Sequence, residues 1–148
     1  MGEYVSWHCS KCGEGESFSL GGGMLGFNNP EVLERAEKGK LGPAMETLLA
    51  NGVPEGWTLF NENAFYLCPS CEAVIPGGTV RIDDGSGNWL VFHEAPGACP
   101  SCGEELCFWD DKVPMSFSEL RARCMKRSEG ACPKCGADAV ELSFGNWD

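Results

Sequence analysis

Positive charge is scarce in this chain. Eleven Lys and Arg stand against 22 Asp and Glu, a formal charge of −11. A surface of that sign repels nucleic acid, whose binding depends on neutralising phosphates. It suits basic protein partners or a cationic ligand. Long apolar runs are missing as well. None approaches the roughly 20 residues that a membrane-spanning helix needs, so no membrane role is expected. Met1-Gly2-Glu3-Tyr4 has neither a basic n-region nor an apolar h-region, so no secretory signal is expected and a cytoplasmic location is.

The furniture of catalysis is thin. There are two histidines, His8 and His93, and neither has a nucleophile at a recognisable spacing. His8 adjoins Cys9 but does not readily reach the same metal, and His93 follows an apolar strand, where a surface or supporting role is expected. Gly21-Gly22-Gly23 runs on into Met24-Leu25-Gly26, without the Gly-Lys-Ser/Thr that ends a phosphate-binding loop. Asp83-Asp84 and Asp110-Asp111 fall in turns, with no cleft to make them an acid/base pair. No catalytic or cofactor-binding residue is assigned, and the chain is not expected to be an enzyme.

Cysteine, by contrast, is abundant. Eight of the ten form four C-x-x-C pairs: Cys9/Cys12, Cys68/Cys71, Cys99/Cys102 and Cys132/Cys135. Two intervening residues turn both sulfurs inward on one knuckle, and two knuckles make a tetrahedral four-thiolate site. Four knuckles imply two structural Zn²⁺ ions. Disulfides or an iron centre are the competing uses, and in a reducing compartment such pairs read as metal sites. With 148 residues, 20 Gly and 9 Pro, the chain buries modest apolar area, so metal crosslinks must supply part of its stability.

Around the knuckles the chain alternates strands and short helices. Phe18-Ser19-Leu20 is strand-like. Asn29 caps and Gly39 ends a helix over about 30–38, with Pro30 at its first position. Leu41, Met45, Leu48 and Leu49 mark a second helical face, closed by Asn51-Gly52. Trp57–Phe60 and Ala64–Leu67 read as two strands, and Thr79–Ile82 and Asn88–Phe92 as a hairpin around Asp83–Gly87. Leu106-Cys107-Phe108-Trp109 is an exit strand. Ser116-Phe117-Ser118-Glu119 is a capping box for a helix over about 117–127. Val140–Phe144 is a last strand.

The flanks suggest how knuckles pair. Trp7 and Tyr66 precede the first two, while turn residues precede the last two: Pro96-Gly97-Ala98 before Cys99, and Glu129-Gly130-Ala131 before Cys132. Both of the latter read Cys-Pro-x-Cys-Gly. Entering with closing gives a nested arrangement, 68/71 with 99/102 and 9/12 with 132/135. Sequential pairing stays open, because loop closure costs too little per doubling of length to decide.

The stretch 65–106, opened by Tyr66-x-Cys68-x-x-Cys71 and closed by Cys99-Pro100-Ser101-Cys102-Gly103, resembles a rubredoxin-like zinc ribbon. It departs at Glu72, where such knuckles often carry Gly. The whole chain is similar to small bacterial multi-C-x-x-C zinc-ribbon proteins, through Leu20-Gly21-Gly22-Gly23-Met24, Cys132-Pro133-Lys134-Cys135-Gly136 and Trp147-Asp148. The resemblance implies a cytosolic zinc-ribbon protein and no particular activity.

Outside the pairs, Cys107 and Cys124 read as a redox couple or extra metal ligands, or as buried small hydrophobes, with Cys124 on the apolar stripe of its helix. Arg121, Arg123, Lys126 and Arg127 concentrate positive charge on one helix. They read as a patch for nucleic acid or an acidic partner, or as a solvated face paired with the chain's own carboxylates. Trp57, Trp89, Trp109 and Trp147 are bulk for a small core, or mark an interface where exposed.

The expected fold is therefore a small metal-stabilised β-rich α+β protein: two Cys₄ zinc ribbons with about three short helices. It forms a single compact unit over 1–148, with a helical insertion at about 28–52 and a central ribbon at about 64–106. The expected function is that of an acidic adaptor or regulatory module acting through protein–protein interaction. The alternatives are a nucleic-acid-associated module using the 121–127 helix, and a thiol redox protein.

Overall fold

The computed structural model describes residues 2–22, 30–38, 42–94, 97–106 and 113–147. Asn29, Gly39, Leu41, Gly23–Gly26, Pro96, Cys107-Phe108-Trp109, Asp110-Asp111 and Asp148 lie outside them. The described chain is β-rich, with two three-stranded sheets and three short helices.

By its contacts the chain divides into two compact units, Met1–Leu20 with Met115–Asp148, and Gly21–Pro114. Each unit holds one three-stranded sheet and one pair of knuckles. The second unit is inserted, in sequence, between two halves of the first.

In unit 1, β1 (Gly2–Cys9) is central, flanked antiparallel by β2 (Gly15–Leu20) and β6 (Val140–Trp147). Alternation along β1 buries Val5, Trp7 and Cys9 on one face. Helix α3 (Phe117–Ser128) packs on β1 and β6 and contributes the buried Leu120 and Cys124. Its start is the expected capping box: Ser116 Oγ accepts from the Glu119 backbone N–H, and the Glu119 carboxylate accepts from the Ser116 backbone N–H. The Ser116 backbone N–H and its hydroxyl, both donating to that carboxylate, hold the Glu119 carboxyl below its usual range. On the other face, Gly145 lies against Tyr4, so close that a Cβ there would stand 2.9 Å from the ring.

In unit 2, β3 (Thr58–Leu67), β4 (Val74–Asp83) and β5 (Trp89–Glu94) form an antiparallel meander. The two strands expected at 57–60 and 64–67 are one continuous β3, with Asn61-Glu62-Asn63 paired to Val80, Thr79 and Gly78. That polar stretch marks a change of face rather than a break. The buried side moves from Leu59 to Ala64 and Tyr66, an odd-to-even switch in a period-2 element. Leu59, Val80 and Ile82 pack with Val32 of α1 (Pro30–Glu37), Met45 of α2 (Pro43–Leu48) and Leu49. Ala64, Tyr66 and Ile75 instead pack with Cys68, Cys99 and Leu106. One sheet thus serves a helical core at one end and a knuckle core at the other.

The β4–β5 turn is held by its own carboxylates. Asp83 Oδ1 accepts from the Gly85 N–H at 2.9 Å and Asp84 Oδ1 from the Ser86 N–H at 2.8 Å. Hydrogen bonds from the Ser86 side chain and backbone hold the Asp84 carboxyl low. These acids shape a turn, as turn-forming aspartates do.

Candidate metal centres

All four knuckles have one backbone design. The residue after the second cysteine donates its N–H to the carbonyl of the first: Gly13 to Cys9, Glu72 to Cys68, Gly103 to Cys99 and Gly136 to Cys132, at 2.9–3.0 Å. The first cysteine's N–H in turn bonds the carbonyl five residues on, at 2.7–2.9 Å. The residue closing each knuckle must take positive φ. Gly13, Gly103 and Gly136 do so at 75°, 76° and 70°, and Glu72 does so at 57°, the one non-glycine with positive φ among the described residues. The departure at Glu72 is therefore a substitution within an unchanged conformation, at a steric cost that glycine avoids.

The eight sulfurs gather in two groups, Cys9/Cys12/Cys132/Cys135 and Cys68/Cys71/Cys99/Cys102, each with its sulfurs within 4.8 Å of one another. The arrangement is nested. In both groups the first cysteine of one knuckle stands next to the second of the other. Cys9 and Cys135 are 3.7 Å apart and Cys12 and Cys132 3.6 Å; Cys68 and Cys102 are 3.6 Å apart and Cys71 and Cys99 3.7 Å. A disulfide needs about 2.05 Å. A tetrahedral ion with metal–sulfur bonds of about 2.3 Å spaces its sulfurs at about 3.8 Å. The donor sets fit two such ions.

The backbone also prepares the sulfurs to bind a cation. At Cys132 the amide of Cys135, and then that of Lys134, hydrogen-bond the sulfur and bring the thiol down to about 6. At Cys99 the amides of Cys102 and Ser101 bring it to about 7. At Cys102 the Glu104 amide favours the thiolate, but burial and the thiols of Cys68, Cys71 and Cys99 outweigh it, and the group stands at about 12. Cys12 is likewise pushed to about 12 by burial and by Cys132, Cys135 and Cys9, against the Glu14 amide. One thiol in each group is set to ionise, and ionising the raised thiols beside it, Cys12 in one group and Cys71 and Cys102 in the other, calls for positive charge between them.

Strands set the pairing that spacing leaves open. Cys9 ends β1 and Cys68 follows β3. In unit 1, β6 pairs with β1 so that Val140 faces Cys9, and Ser10 takes the Ala139 carbonyl with its N–H at 2.9 Å. Lys134 Nζ reaches Glu14 Oε2 at 3.1 Å across the two knuckles, and that hydrogen bond raises the lysine. In unit 2, Ala98 bridges Glu105 around the closing knuckle.

The other candidates fall to quieter roles. His8 Nε2 lies 3.4 Å from Glu141 on exposed surface. His93 Nδ1 lies 3.1 Å from Tyr66 Oη, whose hydroxyl donates to the Gly78 carbonyl at 3.0 Å. It supports the residue that packs under Cys68 and Cys99. Cys124 is fully buried, and burial pushes its thiol to about 11, as for a core side chain. Trp89 and Val91 stand about half exposed on β5, and Trp89 meets Phe60 with ring centroids 5.4 Å apart.

On α3, Arg123, Lys126 and Arg127 are solvent-exposed, as the solvated reading expects, but Arg123 and Lys126 form no ion pair with a carboxylate among the described residues. Arg121 lies over the Phe144 ring at 4.2 Å and Arg127 over the Trp7 ring at 5.5 Å. Arg123, Lys126 and Arg127 line a cavity of about 300 Å³ with Glu16. Sequence reading passed over Trp7 and Glu16 as partners of this helix. The signal was the knuckle hairpin itself, whose register sets Trp7 opposite Glu16.

No family model matches this chain, and no curated protein or solved structure does either.

Proposed function

We propose that this chain is a zinc-dependent protein-binding module. Two structural Zn²⁺ ions, one on Cys9, Cys12, Cys132 and Cys135 and one on Cys68, Cys71, Cys99 and Cys102, hold two small sheets that present their surfaces to another protein. The observation that carries this reading is the closed four-sulfur geometry of both groups. Catalytic zinc keeps a position open for water or substrate, and four thiolates leave none. The chemistry of the ions is then spent on holding the fold, and the work falls to the exterior.

Unit 2 suits a basic partner. It carries 14 acidic and five basic residues, and its strand β5 exposes Trp89, Leu90 and Val91. An exposed apolar strand in an acidic unit offers area to hold a partner and a field to steer it. The test joins metal analysis to binding. Two zinc ions per chain are expected, together with a stoichiometric, salt-weakened complex with a host protein that Trp89→Ser with Val91→Ser loses while keeping both ions. A complex indifferent to that double variant overturns the surface. Fewer than two ions, or a C-x-x-C that oxidises readily in the intact chain, favours the thiol redox reading instead.

The nucleic-acid-associated reading draws on one observation, the basic face of α3. It requires binding to RNA or DNA that weakens steeply with salt and falls on charge reversal at Arg123 and Lys126.

A further inference from the structure

We infer that unit 1 carries a binding site for a phosphate monoester, in the cavity between α3 and β2. Its walls are Arg123, Lys126 and Arg127 on one side and Glu16 on the other, around about 300 Å³. Residues i, i+3 and i+4 of a helix share a face, so three cations are set at one mouth by helical geometry alone.

In a chain with twice as many acids as bases, such a cluster is expected to be neutralised from within. It is not. Arg123 and Lys126 form no ion pair among the described residues, although Lys134, Arg81 and Lys38 each find a carboxylate. The one acid in the cavity is engaged elsewhere: Glu16 Oε2 accepts from Trp7 Nε1 at 2.8 Å. Arg127 is held in place over the same indole, a contact that orders a guanidinium without using its donors.

Charge and chemistry then select the ligand. Three cations less one carboxylate leave two positive charges, which match a phosphate monoester above its second pKa of about 6. Two guanidinium forks and an ammonium suit tetrahedral oxyanions, through paired N–H donors. Trp7 is only 3% exposed, so it supports Arg127 from below and offers no ring for a base to stack on. The site reads the phosphoryl group, not a nucleobase. Unit 1 is the less acidic of the two, with eight acidic and six basic residues against 14 and five in unit 2.

The proposal requires only a folded unit 1, and zinc content measured on the same samples separates its failure from a failure of the metal reading. Inorganic phosphate is titrated into the zinc-loaded full chain at low salt, following the Trp7 indole N–H in proton–nitrogen spectra. That proton binds Glu16 at the cavity wall and reports occupancy. A saturable shift below about 10 mM is expected, with acetate weaker by about tenfold or more. Arg123→Gln with Lys126→Gln loses about tenfold or more in affinity and keeps two metal ions per chain. Glu16→Gln, which still offers Trp7 an acceptor, binds phosphate more tightly. A phosphoserine peptide and a nucleoside 5′-monophosphate are the further arms. Preference for one names the source, and equal binding shows that the group alone is read; both support the site. No saturable shift, an equal response to acetate, or indifference to the double variant overturns it. So does tighter binding of an oligonucleotide lacking any terminal phosphate.

Discussion

The two units begin alike and finish differently. In each, a strand runs into an opening knuckle and returns as its antiparallel neighbour, β1 to β2 and β3 to β4. In unit 2 the third strand, β5, comes before the closing knuckle and adds to the returning strand. In unit 1 the third strand, β6, comes after the closing knuckle and adds to the entering strand. The same four-sulfur geometry therefore tolerates a third strand on either side of the hairpin. What it demands is local: two amides bonded to two carbonyls and one residue at positive φ. The rest of each sheet is free to differ, and so is its charge, mildly acidic in unit 1 and strongly acidic in unit 2.

The largest test of this comparison removes one cluster at a time. Cys132→Ser is expected to cost unit 1 its ion and most of the roughly 10 kcal/mol of folding free energy linked to a structural zinc. Unit 2 then keeps its metal and its dispersed amide resonances. Cys68→Ser does the reverse. Loss of both ions from either variant breaks the claim that each sheet stands on its own cluster.

Acid acts on both clusters. Backbone amides bring Cys132 down to about 6 and Cys99 to about 7, so each group has one thiol set to ionise. Protons compete with the metal for every sulfur, so falling pH is expected to release the ions from both units, read with a chromophoric zinc indicator. Ion content indifferent to acid contradicts thiolate ligation.

Within unit 1, Leu120→Ala empties a fully buried position under the sheet and is expected to cost about 3 kcal/mol, read in the urea midpoint of that unit. Ser116→Ala removes the capping box and is expected to cost about 1 kcal/mol by the same measurement. The smallest effect has the opposite sign. Glu72→Gly relieves a left-handed side-chain residue, and a gain of about 1 kcal/mol in unit 2 is expected. Gly136→Glu in unit 1 is the mirror experiment and should lose a similar amount.

The knuckles and the α3 cap were legible because their chemistry is local. Two residues between cysteines, or Ser116 three before Glu119, fix a geometry without reference to the rest of the chain. The pairing of knuckles was legible only through their flanks, since spacing alone left nested and sequential arrangements open; strand order decided it. β3 was misread at Asn61-Glu62-Asn63 because polar residues in mid-strand look like an interruption when the sheet is imagined with one buried face. In unit 2 the same strand feeds two cores, because Leu59 packs with the helices while Ala64 and Tyr66 pack with Cys68 and Cys99. The cavity of unit 1 was the hardest to foresee, as it needs Glu16 in a strand, and only Phe18-Ser19-Leu20 of that strand announced itself.

The insertion of unit 2 between β2 and α3 sets a timetable for the growing chain. The first knuckle is complete when Gly13 has been made, but its partner arrives about 120 residues later, on the order of ten seconds at ordinary rates of synthesis. In that interval Cys68 and Cys71 appear, with the same spacing and the same appetite for a cation, while their own partners at 99 and 102 are still to come. For that window the sequential pairing is the one within reach. The nested protein must therefore outlast an early rival built from its own first two knuckles, until Cys99 and Cys102 arrive to take the places they hold beside Cys71 and Cys68.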